Sequence, residues 1–154
     1  MKAKDFCLPA IDEKRQEFTF CLKDFLGKDR DIILYFYPKD DTPGCTTEAC
    51  DFRDNLNRLK DFAIVVGVSP DSIESHKKFK EKYNLNFILA SDQNLEVLKA
   101  YDAYGEKNMY GKKTMGVIRS TYIIAPDGTI KKHWKNVKAK GHVEQIIKFY
   151  EENK

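Results

Sequence analysis

The chain has no apolar run approaching the ~20 residues that a membrane-spanning helix requires. Its first residues, Met1-Lys2-Ala3-Lys4-Asp5, lead into no apolar core of signal-peptide length. A cytoplasmic protein without membrane contact is expected. Charge of one sign is not in excess: 27 Lys and Arg stand against 24 Asp and Glu, a net of +3, with lysines and acids alternating along the chain. That surface lacks the electrostatic footprint of a nucleic-acid binder. There is no C-x-x-C, and His76, His133 and His142 share no close spacing with one another or with a cysteine. This disfavours a zinc module, and also a general thiol–disulfide oxidoreductase, which wants C-x-x-C at a helix start. No metal or other cofactor is expected. Repeats, linkers and low-complexity tracts are missing, so residues 1–154 read as a single domain, long enough to bury a core without staples.

Cysteine is missing from everything after position 50. Cys7, Cys21, Cys45 and Cys50 all lie in the first third of the chain. In a reducing cytoplasm they should not be read as a disulfide framework. Cys7 and Cys21 sit in short apolar strand patterns and read as buried packing residues; a bond between them across a hairpin is the lesser alternative.

What is present concentrates around Cys45. The aromatic run Tyr35-Phe36-Tyr37 ends at Pro38, a polar turn follows, and Thr42-Pro43 reads as the start of a helix. Thr is a good N-cap, and Pro is favoured at the first helical position. Cys45 then falls in the first turn, where unpaired N–H groups and the positive end of the helix dipole favour a thiolate. Cys50 lies five residues on. On an intact helix that spacing separates the Cα atoms by about 8.6 Å, whereas a disulfide needs less than ~7 Å. The two can bond only if the first turns unwind, which suits a bond made and broken in each cycle.

Elsewhere, Phe6–Leu8 and Phe18–Leu22 suit an N-terminal hairpin. Asp31–Tyr37, Phe62–Val68 and Phe87–Ala90 read as buried strands. The Cys45 helix runs to about Leu59, a second helix from a cap at Asp71 or Ser72 to near Tyr83, and a short third one from Leu95 to Tyr104. Gly105 to Gly116 reads as a loop. Thr121–Ala125 and Thr129–Trp134 flank the turn Pro126-Asp127-Gly128, and Gly141–Tyr150 is an amphipathic helix. The alternation predicts an α/β sandwich around a mixed central sheet flanked by helices, with the N-terminal hairpin as an extension. Tyr35, Phe36 and Tyr37 are expected in the core and pocket wall, with Phe52 lining the same pocket or packing in the core.

Pro38-Lys39-Asp40-Asp41-Thr42-Pro43-Gly44-Cys45 fits the P-x-x-x-[TS]-x-x-C pattern of the peroxiredoxins. The extension Thr46-Thr47-Glu48-Ala49-Cys50 resembles their bacterioferritin comigratory protein, or peroxiredoxin Q, subfamily. Gly67-Val68-Ser69-Pro70-Asp71, Ser75-His76-Lys77-Lys78-Phe79, Ser91-Asp92 and Gly116–Thr121 carry the similarity over nearly the whole chain. The resemblance implies a thioredoxin-like fold and a peroxidase acting on hydrogen peroxide and alkyl hydroperoxides. Cys45 would be the peroxidatic nucleophile and Cys50 the resolving cysteine of the same chain. Thr42 would hydrogen-bond thiolate and peroxide, Pro38 would shield the site, and Arg119 would stabilise thiolate and transition state, with Glu48 helping to orient it. A monomer reduced by thioredoxin is implied.

Magnitudes show what the site must supply. Full ionisation of an ordinary cysteine raises its reactive fraction about thirtyfold, ~2 kcal/mol, far less than an enzymatic acceleration needs. The remainder must come from donors aimed at the O–O bond: Arg119, the Thr42 hydroxyl and the Cys45 N–H. A redox sensor or chaperone-like protein is the rival of another class, separated from an enzyme by multiple turnover.

Overall fold

Alternation of polar and apolar residues builds the expected hairpin at the start of the chain. The computed structural model describes residues 1–109 and 111–153. In it β1 (Cys7–Ile11) pairs antiparallel with β2 (Glu17–Cys21). Asp12 closes the turn: its Oδ1 accepts from the N–H groups of Lys14 and Gln16, at 2.9 Å each. Leu8 and Phe20 turn inward to the core, so their neighbours Cys7 and Cys21 turn to the opposite side. The two cysteines face each other directly and are joined by a disulfide, with Cα atoms 4.0 Å apart. Cys7 is exposed and Cys21 half-buried. The expectation of two buried packing residues is corrected, because the pleat gives the inward positions to Leu8 and Phe20.

A four-residue helix, α1 (Leu22–Phe25), leads to β3 (Asp31–Phe36), whose residues are all buried. Helix α2 (Pro43–Leu59) and strand β4 (Ala63–Ser69) follow at the expected places. α3 (Ile73–Tyr83) starts at Ser72, whose hydroxyl accepts from the Ser75 N–H, and ends at Asn84 in the left-handed conformation. β5 is Ile88–Ser91. α4 (Glu96–Ala100) is shorter than the expected helix to Tyr104. Asp102 takes a left-handed φ of 56° and the Ala103 N–H returns to the Leu98 carbonyl, which ends the helix.

The stretch expected as a loop, Gly105 to Gly116, instead forms most of an antiparallel arm, β6 (Tyr104–Met109) with β7 (Lys112–Val117). Tyr110 of that stretch lies outside the described residues. Among the described residues the strands of the arm pair only with each other, and β7 is exposed from Lys112 to Met115, so it shows no alternating burial to read in the sequence. β8 (Ser120–Ile124) and β9 (Ile130–Lys135) form the expected hairpin, turning at Gly128 with φ 89°, and α5 (His142–Glu152) closes the chain.

The main sheet has the order β2-β1-β5-β4-β3-β8-β9, with β3, β4 and β5 parallel and the rest antiparallel to their neighbours. On one face, Phe52 of α2, Phe79 of α3 and Val143, Ile146 and Ile147 of α5 pack against Ile33, Tyr35 and Val65. On the other, Leu98 and Tyr101 meet Leu34, Phe36 and Val66. The mixed sheet between helices is as expected. The parallel strands all end on one edge, where β3 hands the chain to α2.

Candidate active site

Sheet register explains how distant residues meet. Phe36, the last residue of β3, pairs with Ser120, the first of β8. Residue 119 therefore leaves the sheet beside the point where residues 37–42 turn toward α2. Cys45 is the third residue of that helix and is 2% exposed. Arg119 donates from Nη2 to Cys45 Sγ at 3.2 Å and from Nη1 to Glu48 Oε1 at 2.7 Å. One guanidinium thus spans both side chains, one helical turn apart on α2. Gly44 makes the approach possible: a Cβ there would lie 3.2 Å from Arg119 Nη2.

Glu48 is fully buried, and its Oε2 has no partner among the described residues. Burial outweighs the attraction of Arg119 and pushes its carboxyl up to about 7. Burial acts the opposite way on Arg119, but Glu48 and Cys45 beside it hold the guanidinium above its ordinary value. The pair therefore keeps its cation while the carboxyl titrates near neutrality.

Thr42 is the N-cap by position, but its hydroxyl makes no cap bond and donates to the Lys39 carbonyl at 2.8 Å. Pro38 is half-buried in the turn between β3 and α2. Cys50, half-buried on the same unbroken helix, is a free thiol, as is Cys45. Burial raises its pKa, with Asp54 and Asp51 adding to the effect and Arg53 opposing it. An intact α2 therefore holds Cys50 away from Cys45, and burial favours its protonated form.

The loop before α2 is pinned by Asp40. Its carboxylate accepts from Tyr37 Oη at 2.6 Å and Ser75 Oγ at 2.8 Å, and lies 2.6 Å from His76 Nδ1. His76 Nε2 in turn faces the Ala90 carbonyl at 2.9 Å. Tyr35 stacks on Phe52 at 4.6 Å and on Tyr37 at 5.4 Å, forming the expected wall beneath the site. Its ring fills the space left by Gly67, where a Cβ would fall 2.8 Å away.

Sequence reasoning missed two things here. Asp40 was legible only as a loop residue, and nothing signalled its burial among α3 side chains. Lys107, on β6, is half-buried close enough to feel both Arg119 and Cys45: burial and then Arg119 lower its pKa, and Cys45 opposes. Its strand lay in the stretch expected as a loop. A cavity of about 530 Å³ lies at the opposite end of the sheet, lined by Arg30, Leu56, Ile64 and Phe87.

A buried thiol at a helix start, bridged by arginine to a carboxylate on a thioredoxin-like α/β sheet, defines the class of cysteine-based peroxidases. The AhpC/TSA family model matches residues 1–133. Peroxiredoxin Bcp of Bacillus subtilis is 49% identical over 130 residues, covering 84% of this chain and 82% of that protein. A putative peroxiredoxin Bcp of Coxiella burnetii is 46% identical over 147 residues, covering 95% and 93%. A solved structure of the Xanthomonas campestris bacterioferritin comigratory protein, studied for its alkyl peroxide reduction activity, superposes with a TM-score of 0.82. It is 36% identical and covers 95% of this chain and 91% of that one. The chain belongs to the AhpC/TSA family and, within it, to the Bcp, or peroxiredoxin Q, peroxiredoxins.

Proposed function

We propose that the chain reduces hydrogen peroxide and organic hydroperoxides through a sulfenic acid on Cys45 that Cys50 resolves. The observation that carries this reading is the contact between Arg119 Nη2 and Cys45 Sγ, with the guanidinium locked by Glu48. A peroxide oxygen approaching the sulfur meets donors already in place, which is where most of the acceleration has to originate. Cys45 thiolate attacks the hydroxyl oxygen of the peroxide; the O–O bond breaks, and hydroxide or alkoxide leaves and takes up a solvent proton as water or alcohol, giving Cys45 sulfenic acid. The Cys50 thiolate then attacks that sulfur, the S–O bond breaks, hydroxide leaves and takes up a solvent proton as water, and an external dithiol reduces the resulting disulfide by exchange.

In this reading Thr42 rotates its hydroxyl from Lys39 toward the bound peroxide, and Pro38 shields the thiol from bulk water. Thioredoxin is the reductant and the cytoplasm the compartment. Both cysteines lie on one helix, so the cycle needs no second subunit, which supports a monomer. The alkyl peroxide activity of the X. campestris relative supports organic substrates. Peroxide-dependent NADPH oxidation through thioredoxin and its reductase tests the scheme. Cys45→Ser must abolish it. Sustained turnover by Cys45→Ser would sink the mechanism, and full turnover by Cys50→Ser would remove Cys50 as the resolving thiol.

A further inference from the structure

The disulfide between Cys7 and Cys21 has no place in that cycle. Its setting is nevertheless that of a bond open to exchange. The Leu22 N–H donates to the Phe6 carbonyl next to the pair, so Cys7 and Cys21 occupy a non-hydrogen-bonded position of the ladder, where opposed side chains come closest. β2 is the outermost strand of the sheet, and Cys7 is exposed, so an incoming thiolate can reach its sulfur. The hairpin has supports besides the bond. Five residue pairs and the buried side chains of Leu8, Ala10, Ile11 and Phe20 fix it, so the disulfide can open in the folded protein.

Its location matters as much. β1 runs antiparallel to β5, and Ala10 is level with Ala90, Val68 and Phe36. Cys7 therefore opens β1 at the edge of the sheet where β3, β4 and β5 finish, the edge that carries the Cys45 site. Three strand spacings, about 14 Å, separate the two regions laterally. That is too far for direct transfer between the cysteine pairs, so electrons must arrive from outside, but one end of the molecule presents both.

We propose that Cys7–Cys21 is a second thiol–disulfide exchange site, whose substrate is a dithiol protein. A thiolate of the partner attacks Cys7 Sγ, the Cys7–Cys21 bond breaks, and Cys21 leaves as a thiolate and takes up a proton. The partner's second thiolate then attacks its own mixed-disulfide sulfur and releases Cys7, which is protonated in turn. Two electrons and two protons enter the chain, and the partner departs as a disulfide. An oxidised partner of the same class reverses the step.

The inference does not depend on Cys45 or Cys50, and its test excludes them. In the full chain carrying Cys45→Ser and Cys50→Ser, thioredoxin, its reductase and NADPH should open the bond under native conditions. Alkylation mapped by mass spectrometry should then find new thiols at Cys7 and Cys21 with stoichiometric loss of NADPH. A thioredoxin retaining only its attacking cysteine should be trapped on Cys7. A bond that survives this treatment in the folded protein, and opens only after denaturation, would make it a static staple and overturn the proposal. So would two free thiols that oxidised glutathione cannot join.

Discussion

Arg119 occupies the space that a side chain on Gly44 would claim: a Cβ on Gly44 would stand 3.2 Å from Arg119 Nη2, the nitrogen that donates to Cys45. The guanidinium cannot retreat freely, because its other terminal nitrogen is held at 2.7 Å by a buried carboxylate. The absence of one methyl group therefore sets the aim of the cation on the sulfur.

Gly44→Ala should lower kcat/KM for peroxide roughly tenfold to a hundredfold, the scale of a misaligned transition-state donor. Stability should barely change, since alanine favours a helix over glycine by up to about 1 kcal/mol and offsets the crowding. Steady-state kinetics beside thermal unfolding would separate the two, and unchanged kinetics would remove the steric argument.

Glu48 supplies a pH signature. Its folded-state carboxyl sits at about 7, raised by burial, while the unfolded chain titrates near 4.5. Between those values the unfolded state has lost a proton that the native state retains, so stability falls as pH rises through the window, by about 3 kcal/mol in all. Glu48→Gln should lack that component. Denaturant unfolding at pH 5 and pH 8 for both proteins checks it, and identical pH differences in the two would refute it.

Lys80 should show the opposite slope. It is fully buried, donates to the Phe87 carbonyl, and is lowered by burial from 10.5 to about 8. Between about pH 8 and 10.5 the unfolded chain holds a proton that the native chain has released, so this group's contribution rises with pH, by about 3 kcal/mol. Lys80→Met should gain stability at pH 7 relative to the parent and lose the alkaline component. A Lys80→Met protein less stable at pH 7 would show that the hydrogen bond to Phe87 outweighs burial of the charge.

Disulfide formation between Cys45 and Cys50 should unwind the start of α2, because the intact helix keeps their Cα atoms about 8.6 Å apart. Hydrogen exchange over Thr46 to Phe52 should accelerate at least about tenfold in the oxidised protein. Equal protection in both forms would mean that the bond forms elsewhere.

Much of this architecture could be read from the residues alone because periodic burial writes it there. The uninterrupted apolar run of β3 and the Thr42-Pro43 helix start announce the frame around Cys45. The arm of β6 and β7 was illegible for the same reason: its strands pair with each other and β7 is largely exposed, so Lys112, Lys113 and Thr114 carry no inward face. Contacts set by sheet register could be anticipated only through the family resemblance, not from spacing. Nothing near Arg119 names Cys45 as its neighbour; the pairing of Phe36 with Ser120 does. The Cys7–Cys21 bond fell between two readings, since apolar neighbours suggested burial while only the hairpin register shows that the sulfurs meet.

Asp40 gives the start of the helix a fixed anchor. Its carboxylate is fastened to Tyr37, Ser75 and His76, and through His76 to the Ala90 carbonyl of β5. Whatever unwinding brings Cys50 to Cys45 must pivot downstream of this anchor. In the proposed cycle the loop carrying Asp40 would keep its place on the sheet while the helix beyond it opens and closes, and the thiol would return to the same seat beside Arg119.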